Sequence, residues 1–352
     1  MLPGHGSAAV ILVAMKLTPG QIVAYLDRHV IGQDEAKKQL AVAVHTHFRK
    51  LGLAQAEQLE VVKSNVLLVG PTGTGKTLMC ETLSKALRVP FVTANATSLA
   101  QSQYVNEEIE AILLRLIDKA GGELADAQRG IVFIDEIDKL GAKPKAATEA
   151  AGGGTSAGES VQHALLKIME GAPVKLKAGG NFDTTETLFI CGGAFVGIDE
   201  ILKATHTFGF IATGEDDNQK ALDRLNARIK PTDLFRFGLI PEFAGRLPIV
   251  ARLKPLTREM MVRIMTEPQN ALYKQFRAIL AGDKVELKIA PQVFEQIADL
   301  AMEYKAGARS LHGIFEELLM PVLYLVPDHP EVRQVVIESL YGEARYLGTK
   351  SN

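Results

Sequence analysis

Gly70-Pro71-Thr72-Gly73-Thr74-Gly75-Lys76-Thr77 decides the reading of this chain. The pattern G-x-x-x-x-G-K-[ST] is that of a phosphate-binding P-loop. Before it runs Asn65-Val66-Leu67-Leu68-Val69, a short apolar, β-rich stretch that reads as a buried strand. After it, Thr77 to Leu83 has helical spacing. Strand, glycine loop and helix are the geometry the motif needs. Glycines let backbone N–H groups turn inward around phosphate oxygens, and the helix N-terminus adds partial positive charge. Lys76 is then expected to reach the β- and γ-phosphates of a nucleotide, and the Thr77 hydroxyl to bind Mg²⁺. The bland alternative is a chance Gly-rich turn.

A second stretch extends this reading. Ile131-Val132-Phe133-Ile134-Asp135-Glu136 is a buried strand ending in two carboxylates. Open α/β sheets bind ligands at that end of their strands. Asp135 is expected in the Mg²⁺ shell and Glu136 to orient and activate a water. The competing reading is a strand that ends in a solvated acidic turn.

The remaining pattern fills in an α/β large domain. Helices are expected from Thr18 to His29 and from Asp34 to Leu51, with an apolar elbow, Val30-Ile31, between them. That elbow is either core or an adenine-stacking surface. Pro90 to Thr93 reads as a strand. Asn106 to Lys119 reads as an amphipathic helix on Ile109, Ile112, Leu113, Leu116 and Ile117. Residues 146–160 are low-complexity and Gly-rich, and read as a loop. A helix (Ser160 to Met169) and a strand (Thr187 to Cys191) follow, then a polar excursion from His206 to Lys230. Near Pro255 the pattern changes to helix, helix, strand, helix, helix, strand, ending at Ile337. The expected domains are 1–16 as a disordered extension, 17–254 as the large domain and 255–352 as a small, mainly helical α/β domain.

Composition narrows the function classes. The 352 residues are 47% hydrophobic and 23% charged, ordinary for a soluble protein. A formal net charge of −2 gives no general attraction to nucleic acid or to an anionic membrane. No run is long enough to span a bilayer. The apolar run Ala8–Met15 lacks the basic flank of a signal peptide. The two cysteines, Cys80 and Cys191, form no C-x-x-C pair, so a four-cysteine zinc site is excluded and no zinc is expected. Both read as buried, reduced thiols of a cytoplasmic protein.

Together the P-loop, the Asp-Glu strand and the trailing small domain resemble the AAA+ P-loop ATPase architecture. Val30-Ile31-Gly32-Gln33, Gly70 to Thr77, Arg129 to Lys139, Cys191 to Phe195, Gly238 to Pro248 and Gly307-Ala308-Arg309 are similar, more narrowly, to the ClpX family. Its members are ATP-driven protein unfoldases that feed the ClpP peptidase. The resemblance spans about Leu17 to Tyr341. It implies a homo-hexamer that hydrolyses ATP with Mg²⁺, acts on unfolded or tagged proteins and has no peptidase activity of its own. It further implies an adenine pocket at Val30 and Ile31, and phosphate and Mg²⁺ contacts from Gly70, Pro71, Thr72, Gly73, Thr74, Gly75, Lys76, Thr77 and Asp135. Glu136 would be the catalytic glutamate, Arg246 an arginine finger for the neighbouring subunit, and Arg309 a γ-phosphate sensor. Tyr104-Val105 would be the axial pore loop that grips substrate, and the 146–160 stretch a second pore loop.

Four departures accompany the resemblance. No counterpart of the family's N-terminal zinc domain is expected, because two cysteines cannot build it. The pore loop reads Gln103-Tyr104-Val105-Asn106 where the family has flanking glycines. The basic loop at the pore entrance reduces to Lys175 and Lys177. The Ile/Leu-Gly-Phe peptide that docks on ClpP is matched by Phe208-Gly209-Phe210. No sensor-1 residue is assigned. A freestanding remodelling chaperone, a non-hydrolysing nucleotide-binding scaffold and a nucleic-acid motor are the competing functions.

Overall fold

The computed structural model of the chain describes residues 17–57, 63–141, 157–177, 179–206 and 228–348. They form two compact units. One comprises the described parts of 1–23, 34–70 and 76–253; the other comprises 24–33, 71–75 and the described part of 254–352.

In chain order the elements are α1 (Pro19–Asp27), α2 (Asp34–Glu57), β1 (Val66–Val69), α3 (Lys76–Leu87), β2 (Phe91–Asn95), α4 (Ala96–Gln101), α5 (Val105–Lys119), α6 (Leu124–Gln128) and β3 (Ile131–Asp135). A 3₁₀ turn (Ile137–Leu140), α7 (Ala157–Glu170), β4 (Pro173–Lys175), β5 (Asn181–Asp183), β6 (Leu188–Gly193) and α8 (Ile198–His206) follow. Then come α9 (Pro231–Phe237), α10 (Pro241–Gly245), β7 (Ile249–Arg252), α11 (Arg258–Thr266), α12 (Leu272–Gly282), β8 (Glu286–Ile289), α13 (Pro291–Glu303), α14 (Arg309–Leu325), β9 (Val332–Ile337) and β10 (Arg345–Gly348).

The first unit is built on a five-stranded sheet of order β2-β3-β6-β1-β7, parallel at every pairing. β1 and β6 are buried at every residue and β3 at all but Asp135, as expected of parallel strands covered on both faces. The expected strands at 65–69, 131–136 and 187–191 all lie in this sheet. β7 was not expected: it is a half-buried strand of four residues that opens directly after Pro248. Parallel register fixes the level of the strand ends. Val69 pairs with Gly193, Ile134 with Cys191, and Asn95 with Asp135. Gly70, Asp135 and Asn95 are therefore delivered to the same edge.

The second unit carries a three-stranded sheet, β10-β9-β8, with helices α11 to α14. Its own core includes Leu287, Ile297, Leu311, Phe315 and Val335. β10 lies beyond the last expected strand and pairs antiparallel with β9.

One buried group makes the first unit acid-sensitive. His47 is 4% exposed, and its Nε2 lies 3.1 Å from the Glu186 carbonyl. Burial lowers its pKa from 6.5 to about 4. Between those values the unfolded chain binds the proton and the folded one does not, so stability is lost as pH falls from 6.5 toward 4. The contribution is about 3 kcal/mol. His47→Gln should flatten the acid limb of the denaturation midpoint measured against pH. An unchanged limb would assign that limb to other groups.

Candidate active site

The phosphate loop is an extension of the sheet. Gly70 N–H donates to the Gly193 carbonyl at 3.1 Å, which continues the β1–β6 ladder by one residue. The chain then leaves through two glycines in the left-handed region, Gly73 at φ 76° and Gly75 at φ 95°. Thr74 Oγ1 donates to the Pro71 carbonyl at 2.7 Å and closes the turn. Gly75 would admit a Cβ without meeting any atom within 4 Å, so that face of the loop is open. Gly73 is the opposite case. Its carbonyl accepts from Ala308 N–H at 3.1 Å, and a Cβ there would strike the Ala306 carbonyl and the Gly307 backbone.

At the start of α3, Lys76 is buried, and its Nζ donates to the Gly70 carbonyl at 2.7 Å. The ammonium thus rests on the first residue of its own motif. Thr77 Oγ1 is 3.4 Å from Asp135 Oδ2, so the hydroxyl and the carboxylate converge as the two oxygen ligands of one hard cation would. A cavity of about 390 Å³ opens beside them, lined by Asn95, Ser98, Glu108 and Arg115 among others. Behind them Cys80 is fully buried. Burial and the Asp135 charge push its thiol well above the usual range, and burial alone pushes Cys191 up to about 12. Both thiols are protonated and inert, as expected of structural cysteines.

Glu136 is where the backbone is strained. Its φ is 59°, a left-handed conformation that costs about 1–3 kcal/mol for a residue with a Cβ. Asp135 Oδ1 accepts its N–H at 2.9 Å, and its carbonyl accepts from Lys139 N–H at 3.0 Å, which starts the 3₁₀ turn. The consequence is directional. The side chain is turned toward β2, where Glu136 Oε2 accepts from Asn95 Nδ2 and Thr97 Oγ1, both at 3.1 Å. Asn95 does two jobs, because its Oδ1 caps α4 by accepting from the N–H groups of Thr97 at 2.8 Å and Ser98 at 3.3 Å. Asp138 anchors the next turn. It accepts from the N–H groups of Ala194 and Phe195 at 3.2 and 3.3 Å, an approach that leaves no room for a Cβ on Gly193.

Residues 62–250 match the AAA domain (Cdc48 subfamily), and residues 256–334 match the C-terminal, D2-small domain of ClpB protein. The ATP-dependent Clp protease ATP-binding subunit ClpX of Treponema denticola is 42% identical over 334 residues, covering 91% of this chain and 80% of the relative. The ATP-dependent Clp protease ATP-binding subunit ClpX 3 of Methylococcus capsulatus is 41% identical over 347 residues, covering 91% and 79%. The chain belongs to the ClpX family of AAA+ ATPases. It is a nucleotide-binding α/β protein of the P-loop class.

The other residues singled out in this ClpX-family sequence are placed as follows. Arg246 follows α10 and is half exposed. Arg309 is the first residue of α14 and is exposed. Val30 and Ile31 are buried, followed by Gly32 and Gln33, both at positive φ; the Gln33 side chain brackets the Lys254 backbone with two 2.8 Å bonds. Tyr104 is 64% exposed just before α5, whereas Val105 packs against the core, so the pair does not present one continuous surface. Lys177 is paired with Glu107 at 3.0 Å, and its N–H donates to the buried Glu110 carboxylate. Phe208, Gly209, Phe210 and most of the 146–160 stretch lie outside the described residues. Asn95 and Thr97 carry no expectation from the sequence, because their partner Glu136 lies 41 and 39 residues away.

The two loop glycines should respond differently to alanine. Gly75→Ala is expected to cost about 1 kcal/mol, the positive-φ term alone, because space is open. Gly73→Ala adds a backbone clash with Ala306 and Gly307 and should cost about 3 kcal/mol or more. Chemical denaturation of both variants checks the order, and equal losses would overturn it.

Proposed function

We propose that this chain is an ATP-driven protein unfoldase that works as a homo-hexamer and passes unfolded or tagged proteins to a ClpP-type peptidase in the cytoplasm. The observation that carries the reading is the convergence of Thr77, Asp135 and Glu136 at the open edge of the sheet, beside the P-loop. The names of the ClpX relatives support the protease connection. Among the described residues no helix is long and apolar enough to cross a membrane.

Each residue then has a task. The N–H groups of Gly70 to Gly75 and the start of α3 receive the phosphates. Lys76 exchanges the Gly70 carbonyl for phosphate oxygens, and it is already desolvated, so the exchange strips little water. Thr77 and Asp135 would hold Mg²⁺, which neutralises phosphate charge when bound. Glu136 orients and deprotonates the attacking water, and Asn95 and Thr97 fix its carboxylate until nucleotide arrives. Arg246 supplies positive charge to the ATP of the neighbouring subunit, and Arg309 reads the γ-phosphate within its own chain. Val30 and Ile31 pack on the adenine. The exposed Tyr104 ring grips the polypeptide in the axial pore. Phe208-Gly209-Phe210 is the segment proposed to dock on the peptidase.

Glu136→Gln should bind ATP and form rings but lose turnover by about 10²-fold or more, measured as phosphate release; wild-type turnover would remove Glu136 from its assigned role. Tyr104→Ala should leave ATP hydrolysis intact and slow the unfolding of a stable tagged protein. Equal unfolding rates would remove Tyr104 from the pore. Running the same unfolding assay with and without a ClpP-type peptidase separates delivery from freestanding remodelling: proteolysis only with peptidase supports delivery, and unfolding without any pairing supports the chaperone.

A further inference from the structure

Asn65 stands immediately before β1 and is 1% exposed. A buried amide is costly unless its polar atoms are met. Here all of them converge on one region. Nδ2 donates to the carbonyls of Met169 at 3.1 Å and Arg246 at 3.3 Å, and Oδ1 accepts from Phe189 N–H at 3.4 Å. One side chain therefore ties the Arg246 backbone to the last turn of α7 and to β6. Glu170, the last residue of α7, takes the Arg246 side chain: Nε donates to its Oε1 at 2.9 Å, and Nη2 lies 2.5 Å from the same oxygen. Lys63 secures the end of α7 from below, with its Nζ donating to the Ile168 and Thr184 carbonyls at 3.3 and 2.7 Å. The Nε edge of the guanidinium is thus occupied, and Nη1 has no protein partner among the described residues.

We propose that Asn65 and Glu170 are the positioning residues of Arg246. Asn65 fixes its backbone, and Glu170 turns the guanidinium so that the Nη1 side is offered to the nucleotide of the next subunit. This inference rests on the reading of Arg246 as a finger acting in trans. Neither residue belongs to the chain's own nucleotide site. A defect at either one should therefore appear in the neighbour's hydrolysis and not in the variant's own.

That directionality gives the test. In steady-state ATPase assays on the full chain, Asn65→Ala should lower kcat about fivefold to fiftyfold with KM within about twofold. Glu170→Gln, at a half-exposed pair, should lower it about twofold to fivefold. Glu136→Gln subunits carry an intact Arg246 mount but do not turn over. Mixed into Asn65→Ala rings, they should raise turnover per Asn65→Ala subunit; mixed into wild-type rings, they should not. Lack of rescue would place the defect in the variant's own site or fold and overturn the proposal. Wild-type kcat in both variants would also overturn it. Arg246→Ala keeps the two levels apart. If it retains wild-type kcat, the finger reading itself has failed; if it loses kcat while Asn65→Ala and Glu170→Gln do not, only the positioning claim has failed. Should Asn65→Ala not fold, Asn65→Ser and Glu170→Gln carry the same comparison and the same mixing readout.

Discussion

Parallel pairing of β6 with both β1 and β3 sets the distance between the phosphate loop and the carboxylates. β6 is buried along its whole length, and its register places Gly193 beside Val69 and Cys191 beside Ile134. A slip of one residue would turn every side chain of a strand to the opposite face. It would also break the Gly70–Gly193 bond that launches the loop. The two glycines that end β6 serve closeness: Phe133 and Asp135 crowd Gly192, and Asp138 and Phe195 crowd Gly193. The chemistry at the sheet edge depends on those four interatomic approaches more than on any single ion pair.

Above that rigid base, the catalytic candidates are held by bonds that are easy to exchange. Lys76 rests on a carbonyl of its own loop, and Glu136 on a neutral amide and a hydroxyl. Each such bond is worth about 1 kcal/mol net, which binding of a polyphosphate exceeds readily. The left-handed Glu136 backbone is the expensive element, and it is fixed by Asp135 and Lys139 whichever partner the carboxylate has. Strain thus sets the direction of the side chain, while weak bonds set its resting partner.

The readable parts of the sequence were those with a local signal. Buried parallel strands show as short apolar runs, and the P-loop shows as glycines at fixed spacing, so β1, β3, β6 and the loop were all legible. Helix ends were nearly so; α5 opens at Val105, one residue before the expected start, and that residue joins the core. β7 and β10 were missed because four half-buried residues beside a proline or near a chain end carry no distinctive period. Asn65 and Asn95 were missed for a different reason. Their partners lie as far as 181 and 41 residues away, so an asparagine flanking a strand looks like any turn former until the sheet is assembled.

The placement of Asn65 gives β1 a meaning beyond its four residues. Its C-terminal end opens into the P-loop, and its N-terminal flank holds the backbone of Arg246. A strand of this length spans only about 13 Å, and every one of its side chains is buried. Paired residue for residue with β6 on one side and β7 on the other, it is a fixed spacer. What such a spacer does is keep constant the offset between the Gly70 end of the strand and the Arg246 backbone. Adaptability on this side lies in the half-exposed Glu170–Arg246 pair, where a carboxylate and a guanidinium can part and re-form at small cost.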